Sequence, residues 1–169
     1  MKKPMRNMLV VTPMVAMLFA GGSGDARAQN QVYVDFNKLA GFSYDPADPW
    51  ALTPAKREPT GVPAEIQALD GKRIAIIGLG LPLTWGKEGA SEFLLTISED
   101  ACLFGATPRI NEWIMVTMVG GRTVEVWNGG EYWAAGKFHV TEKVEDGKVI
   151  QLFELEADSV RFQRMGLQG

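Results

Sequence analysis

From Arg73 onward, apolar positions recur every second residue, the spacing of strands that bury one face. Phe93, Leu95 and Ile97 alternate with Leu94 and Thr96, and Ile114, Val116 and Met118 alternate with Trp113, Met115 and Thr117. Ala134, Gly136, Phe138 and Val140 share a face, leaving Trp133, Lys137 and His139 opposite. Arg73 to Gly80 is apolar on both faces through Ile74, Ala75, Ile76 and Ile77, as in a strand covered on both sides. Turn chemistry separates these runs at Asp70-Gly71, Gly120-Gly121, Asn128-Gly129-Gly130 and Asp146-Gly147. Between two of those turns, Val124 and Val126 oppose Thr123, Glu125 and Trp127 as a further strand. Val149 to Leu155 follows the last turn, and Val160 with Phe162 makes a short final strand.

Five to seven short strands with hairpin-sized links predict an all-β fold, a small antiparallel barrel. Closure removes the open edges that a small antiparallel sheet would otherwise expose. An oligonucleotide/oligosaccharide-binding (OB-like) barrel fits the strand count best, with a small sandwich as the rival. Gly78, Gly80 and Gly136 fall where a barrel strand bends or admits a close neighbour. Helix is expected only as one or two turns within Val62–Leu69, where Val62, Ile66 and Leu69 share a side.

The N-terminal third has a different texture. Lys2, Lys3 and Arg6 precede an uncharged stretch to Gly22, and Ala26-Arg27-Ala28 supplies the small residues of a signal-peptidase site. Residues 1–28 therefore read as a signal peptide cut before Gln29, with periplasmic or secreted localisation. The uncharged stretch is shorter than the roughly 20 residues a bilayer span needs, and it contains Pro13. After cleavage no transmembrane span is expected. Residues 29–61 read as one strand, with Val32, Val34 and Phe36 alternating, then a turn-rich surface leader carrying Pro46, Pro49, Pro54 and Pro59. Residues 62–169 make the β-rich domain.

Charge narrows the partners. The chain has 17 basic and 20 acidic residues, and losing residues 1–28 removes four of the former and one of the latter. A mature chain of net charge about −6, without a basic cluster, excludes nucleic acid as an expected partner. A periplasmic protein or a small ligand remains.

The residues that carry chemistry are sparse. With one histidine, His139, and one cysteine, Cys102, no metal site and no cofactor is expected, since zinc sites take three or four protein ligands. Cys102 is a structural or a reactive thiol; as a nucleophile it would define a cysteine-dependent periplasmic enzyme, the alternative to a binding or accessory protein. No nucleophile elbow or phosphate-cradling loop is present, so no catalytic residue is assigned. Glu154 and Glu156 share a strand face and read as a solvated sheet face. Trp113, Trp127 and Trp133 lie opposite the Ile/Val face, and they are the binding candidates. Two readings of them stand: a recognition surface, or a cover on the outside of a thin barrel.

Several short stretches resemble a bacterial family catalogued as domain of unknown function 3299 (DUF3299). They are residues 62–72 (Val62-Pro63-Ala64-Glu65 through Lys72), Gly78-Leu79-Gly80-Leu81-Pro82-Leu83, Phe93-Leu94-Leu95, Ala101-Cys102, Asn111 and Ala135-Gly136-Lys137-Phe138. The resemblance spans about residues 62–163 and implies an exported β domain with an accessory envelope role, beside transport systems associated with metal supply. Relatives often continue Cys-x-His into a proline run. Here Phe104 stands at the histidine position and only Pro108 remains of the run, so a Cys/His ligand pair is not carried over.

Overall fold

The computed structural model describes residues 31–44, 61–83, 89–98 and 108–163. The expected signal peptide, the proline-bearing part of the leader, Cys102 and Phe104 lie outside the described residues. In chain order the elements are β1 (Val32–Val34), α1 (Phe36–Ala40), α2 (Ala64–Gln67), β2 (Arg73–Pro82), β3 (Glu92–Thr96), β4 (Trp113–Met118), β5 (Gly130–Glu145) and β6 (Lys148–Phe162). A 3-10 turn, Val119–Gly121, follows β4.

The domain is mostly strand, as the period-two pattern predicts. Among the described residues the strands form one six-stranded sheet in the order β1-β2-β3-β4-β6-β5, with β5 also pairing back onto β2. The sheet is mixed, which corrects the expectation of a purely antiparallel one: β1 runs parallel to β2, and β4 parallel to β6. For β4 and β6 the reason is the connection from β4. It carries the chain to the far edge of β2, where β5 pairs antiparallel from Arg73↔Lys137 to Gly80↔Gly130. The hairpin at Asp146-Gly147 then returns β6 alongside β4 in the same direction.

Two local readings are also revised. Thr123–Trp127 is not a regular strand; among the described residues its backbone pairs through the isolated bridge Ala90↔Val124 alone. The final strand is not separate either, because β6 continues through a bulge. Ala135 pairs Ser159 while Gly136 pairs Ala157, so Asp158 is the extra residue. Its carboxylate meets the Arg73 guanidinium through two hydrogen bonds, and its carbonyl accepts from Arg122 Nη2 at 2.6 Å. At the same place a Cβ on Gly136 would lie 2.0 Å from the Glu156 carbonyl oxygen. A glycine is required where the two backbones come this close.

The core lies on the inner faces of these strands. Ile74 and Ile76 of β2 belong to one buried cluster with Phe93, Leu95, Ile114, Val116, Tyr132, Ala134, Phe138 and Leu155. Phe36, expected to continue the first strand, is not part of it. Phe36 begins α1, which is capped by the Asp35 carboxylate accepting from the Asn37 N–H at 2.9 Å. Phe36, Leu39 and Ala40, at helical spacing, enter the core. Asn111 locks the helix end: its buried amide donates to the carbonyls of Leu39, Ala40 and Phe42 at 3.4, 3.2 and 2.8 Å. Beside it, burial pushes the Glu112 carboxyl up, but the Arg109 backbone N–H, side-chain hydrogen bond and charge outweigh this and hold it below the usual range.

Candidate functional site

The outer face of β2 changes neighbours along its length. One edge pairs with β5 from Arg73 to Gly80. The other edge pairs first with β1, ending at Val34↔Ile76, and then with β3, starting at Leu79↔Thr96. Between these two partners, at Ile77 and Gly78, the sheet splits. Phe36 packs into the gap from the inside, where a Cβ on Gly78 would meet its ring at 2.9 Å.

Outside the gap lies a cleft of about 640 Å³. Its floor is apolar, with Ile77 and Leu79 on β2. Tyr33 and Asp35 line it from the β1 side, Glu131 and Trp133 from β5. Ile77 is 46% exposed and Tyr33 76% exposed. Ile77, Trp133 and Arg161 stand in one row across β2, β5 and β6. The Arg161 guanidinium carbon lies 4.8 Å from the centre of the Trp133 ring, a cation–π contact that steadies the indole.

The tryptophans expected to form a recognition face divide between places. Trp133 is half-buried and lines the cleft. Trp113 is also half-buried on the outer face, and it is not among the residues lining the cleft. It stands in the row Trp113, Thr96, Leu79 and Glu131 across β4, β3, β2 and β5, which crosses the cleft floor at Leu79. Trp133 lies in the neighbouring outer row, with Ile77, three strand spacings or roughly 14 Å from β4. The two indoles thus stand on either side of β2 and β3 without touching. Trp127 is 59% exposed in the turn before β5, where its backbone N–H donates to the Tyr132 hydroxyl at 2.7 Å. Cys102, the thiol candidate, lies outside the described residues.

His139, expected on a solvated face, sits between two carboxylates. Its Nδ1 is 3.8 Å from Asp70 Oδ1 and its Nε2 3.4 Å from Glu156 Oε2. Among the described residues, no group of three or more His, Cys, Asp or Glu side chains is placed to hold a metal ion. No helix among them is long and apolar enough to cross a membrane.

Sequence reasoning missed Tyr33, Asp35, Ile77, Leu79, Glu131 and Arg161. Reading β2 as covered on both faces hid Ile77 and Leu79, since an exposed and a doubly buried strand share one apolar signature. The usable signal was the solvent-facing Tyr33 beside it, but its parallel pairing with Ala75 is set by tertiary structure.

No family model matches the chain, and no curated protein does. Among solved structures eight chains match. One is a DUF3299 family protein from Pseudomonas aeruginosa PAO1, with a TM-score of 0.53 and 20% identity, covering 78% of this chain and 95% of that one. Another is a putative aspartyl-tRNA synthetase from Leishmania major Friedlin, at TM-score 0.38 and 8% identity over 89% of this chain and 23% of that one. So distant a likeness carries no argument. The first likeness is one of fold, to a member of the family that the sequence marks between residues 62 and 163 resemble.

Proposed function

We propose that this chain is an exported, OB-like binding module of the cell envelope, with its ligand site in the cleft of Tyr33, Ile77 and Trp133. The barrel reading draws support from the return pairing of β5 onto β2, which links β2, β3, β4, β6 and β5 into a ring of five strands. Periplasmic or secreted location draws on the basic start, the uncharged stretch and Ala26-Arg27-Ala28. The observation that carries the binding role is the open apolar cleft where β1 and β3 diverge, with a steadied indole at its side.

The charge of the cleft disfavours the ligands most associated with such barrels. Oligonucleotide sites are electrostatic funnels with cations along the groove. The ionised side chains lining this cleft among the described residues are Asp35 and Glu131, both acidic. A periplasmic protein or a small ligand fits better. Titration of the isotope-labelled mature protein with a library of small aliphatic and aromatic molecules tests the site. Shifts concentrated on the Trp133 indole and the Ile77 and Leu79 methyls are expected; shifts concentrated elsewhere contradict the assignment.

A further inference from the structure

We infer that the ligand class of this cleft is a linear aliphatic amine with a positive charge at each end, the chemistry of a diamine or polyamine. The inference rests on reading the cleft as the ligand site and adds what the site selects. Asp35 and Glu131 stand on opposite rims, the first just beyond the end of β1 and the second on β5, with β2 between them. Two strand spacings set their backbones about 10 Å apart across the cleft. Glu131 is also offset along the sheet, since it pairs with Leu79 while Trp133 pairs with Ile77. One small cation does not span that separation. An extended chain of methylenes with a charge at each end does.

The floor between the rims suits such a stem. Ile77 and Leu79 offer an aliphatic surface, and Tyr33 and Trp133 flank it with aromatic rings. Methylenes gain from leaving water against these groups, while each ammonium stays near the solvent with a carboxylate. Asp35 also accepts through Oδ1 from the Asn37 N–H and side-chain amide, which fixes the carboxylate at the rim. Arg161 approaches from the β6 side and is not among the lining residues, so it holds the indole without supplying a cation to the interior. An anionic ligand would meet two like charges. A neutral ligand of the same length gains only the apolar contact.

The test uses three probes on one five-carbon stem, 1,5-diaminopentane, 1-aminopentane and 1,5-pentanediol, followed at the Trp133 indole and Ile77 methyl resonances of the mature protein. The diamine is expected to bind about tenfold or more tightly than the diol, with the monoamine between them, and its advantage should shrink as salt is raised. Glu131→Gln should reduce the diamine to the affinity of the monoamine. Asp35→Asn should do the same while keeping a helix cap, since asparagine caps as well as aspartate. Equal affinities for diamine and diol at these resonances would overturn the charge preference and leave the cleft standing as an apolar site. Absence of any diamine shift at Ile77 and Trp133 would also overturn it, whatever the small-molecule library shows.

Discussion

The Asn111 side-chain amide donates to the Phe42 carbonyl at 2.8 Å across 69 residues of chain. With the bonds to Leu39 and Ala40, this one buried amide ties the end of α1 to the turn before β4. The N-terminal segment is thereby part of the core, and the β1 side of the cleft is fixed in place. Asn111→Ala should lower unfolding free energy by about 1–3 kcal/mol, the cost of removing this donor from the Leu39 and Phe42 carbonyls, while the Ala40 carbonyl keeps Arg109 Nη2 at 3.2 Å. Asn111→Asp should cost more at neutral pH, because a carboxylate then faces carbonyl oxygens, and should recover in part on acidification. Urea titrations at two pH values check both.

Among the described glycines, Gly136 marks the closest approach, that of β5 to β6. Gly136→Ala should cost about 3 kcal/mol or abolish folding, since its Cβ would run into the Glu156 carbonyl and the Ala157 backbone rather than a movable side chain. Gly121→Ala is the control. That glycine has φ +66° and open space around it, so only backbone strain of about 1 kcal/mol is expected.

Tyr132 gives a pH-dependent signature. Burial pushes its hydroxyl above the ordinary value, the Trp127 N–H draws it back, and the charge of Glu125 raises it further. A raised folded-state value means the folded form keeps its proton longer than the unfolded chain. The resulting stability is complete below about pH 10 and is lost as pH rises through the folded value. Denaturant midpoints should therefore fall more steeply above pH 10 in the natural protein than in Tyr132→Phe.

The strands were legible wherever one face is buried and the other is not. β4 shows this cleanly, with Ile114, Val116 and Met118 buried and Trp113, Met115 and Thr117 half-buried. Pairing partners were not legible, because period-two alternation states which face is inward and nothing about the neighbour. The parallel pairs β1·β2 and β4·β6 depend on that missing information. α1 was hidden because Val32, Val34 and Phe36 continue a strand pattern by coincidence, and the Asp35 cap that ends the strand is one residue long in its signal. Trp133 was found as an outward residue; its companions in the cleft come from two other strands.

Export makes a separate prediction. Protein recovered from the periplasm should have the intact mass of a chain beginning at Gln29. A stable membrane-bound form retaining Met1 would contradict the location.

The central claim is that Trp133 serves binding at the cleft rather than stability. The most direct measurement compares Trp133→Ala with the natural protein in unfolding free energy and in the response of Ile77 and Leu79 to 1,5-diaminopentane. A half-buried indole with one cation–π contact should cost about 1–2 kcal/mol on removal, while the ligand response weakens tenfold or more. A loss of about 3–5 kcal/mol, typical of a core tryptophan, with undiminished ligand response in the folded fraction would contradict the account.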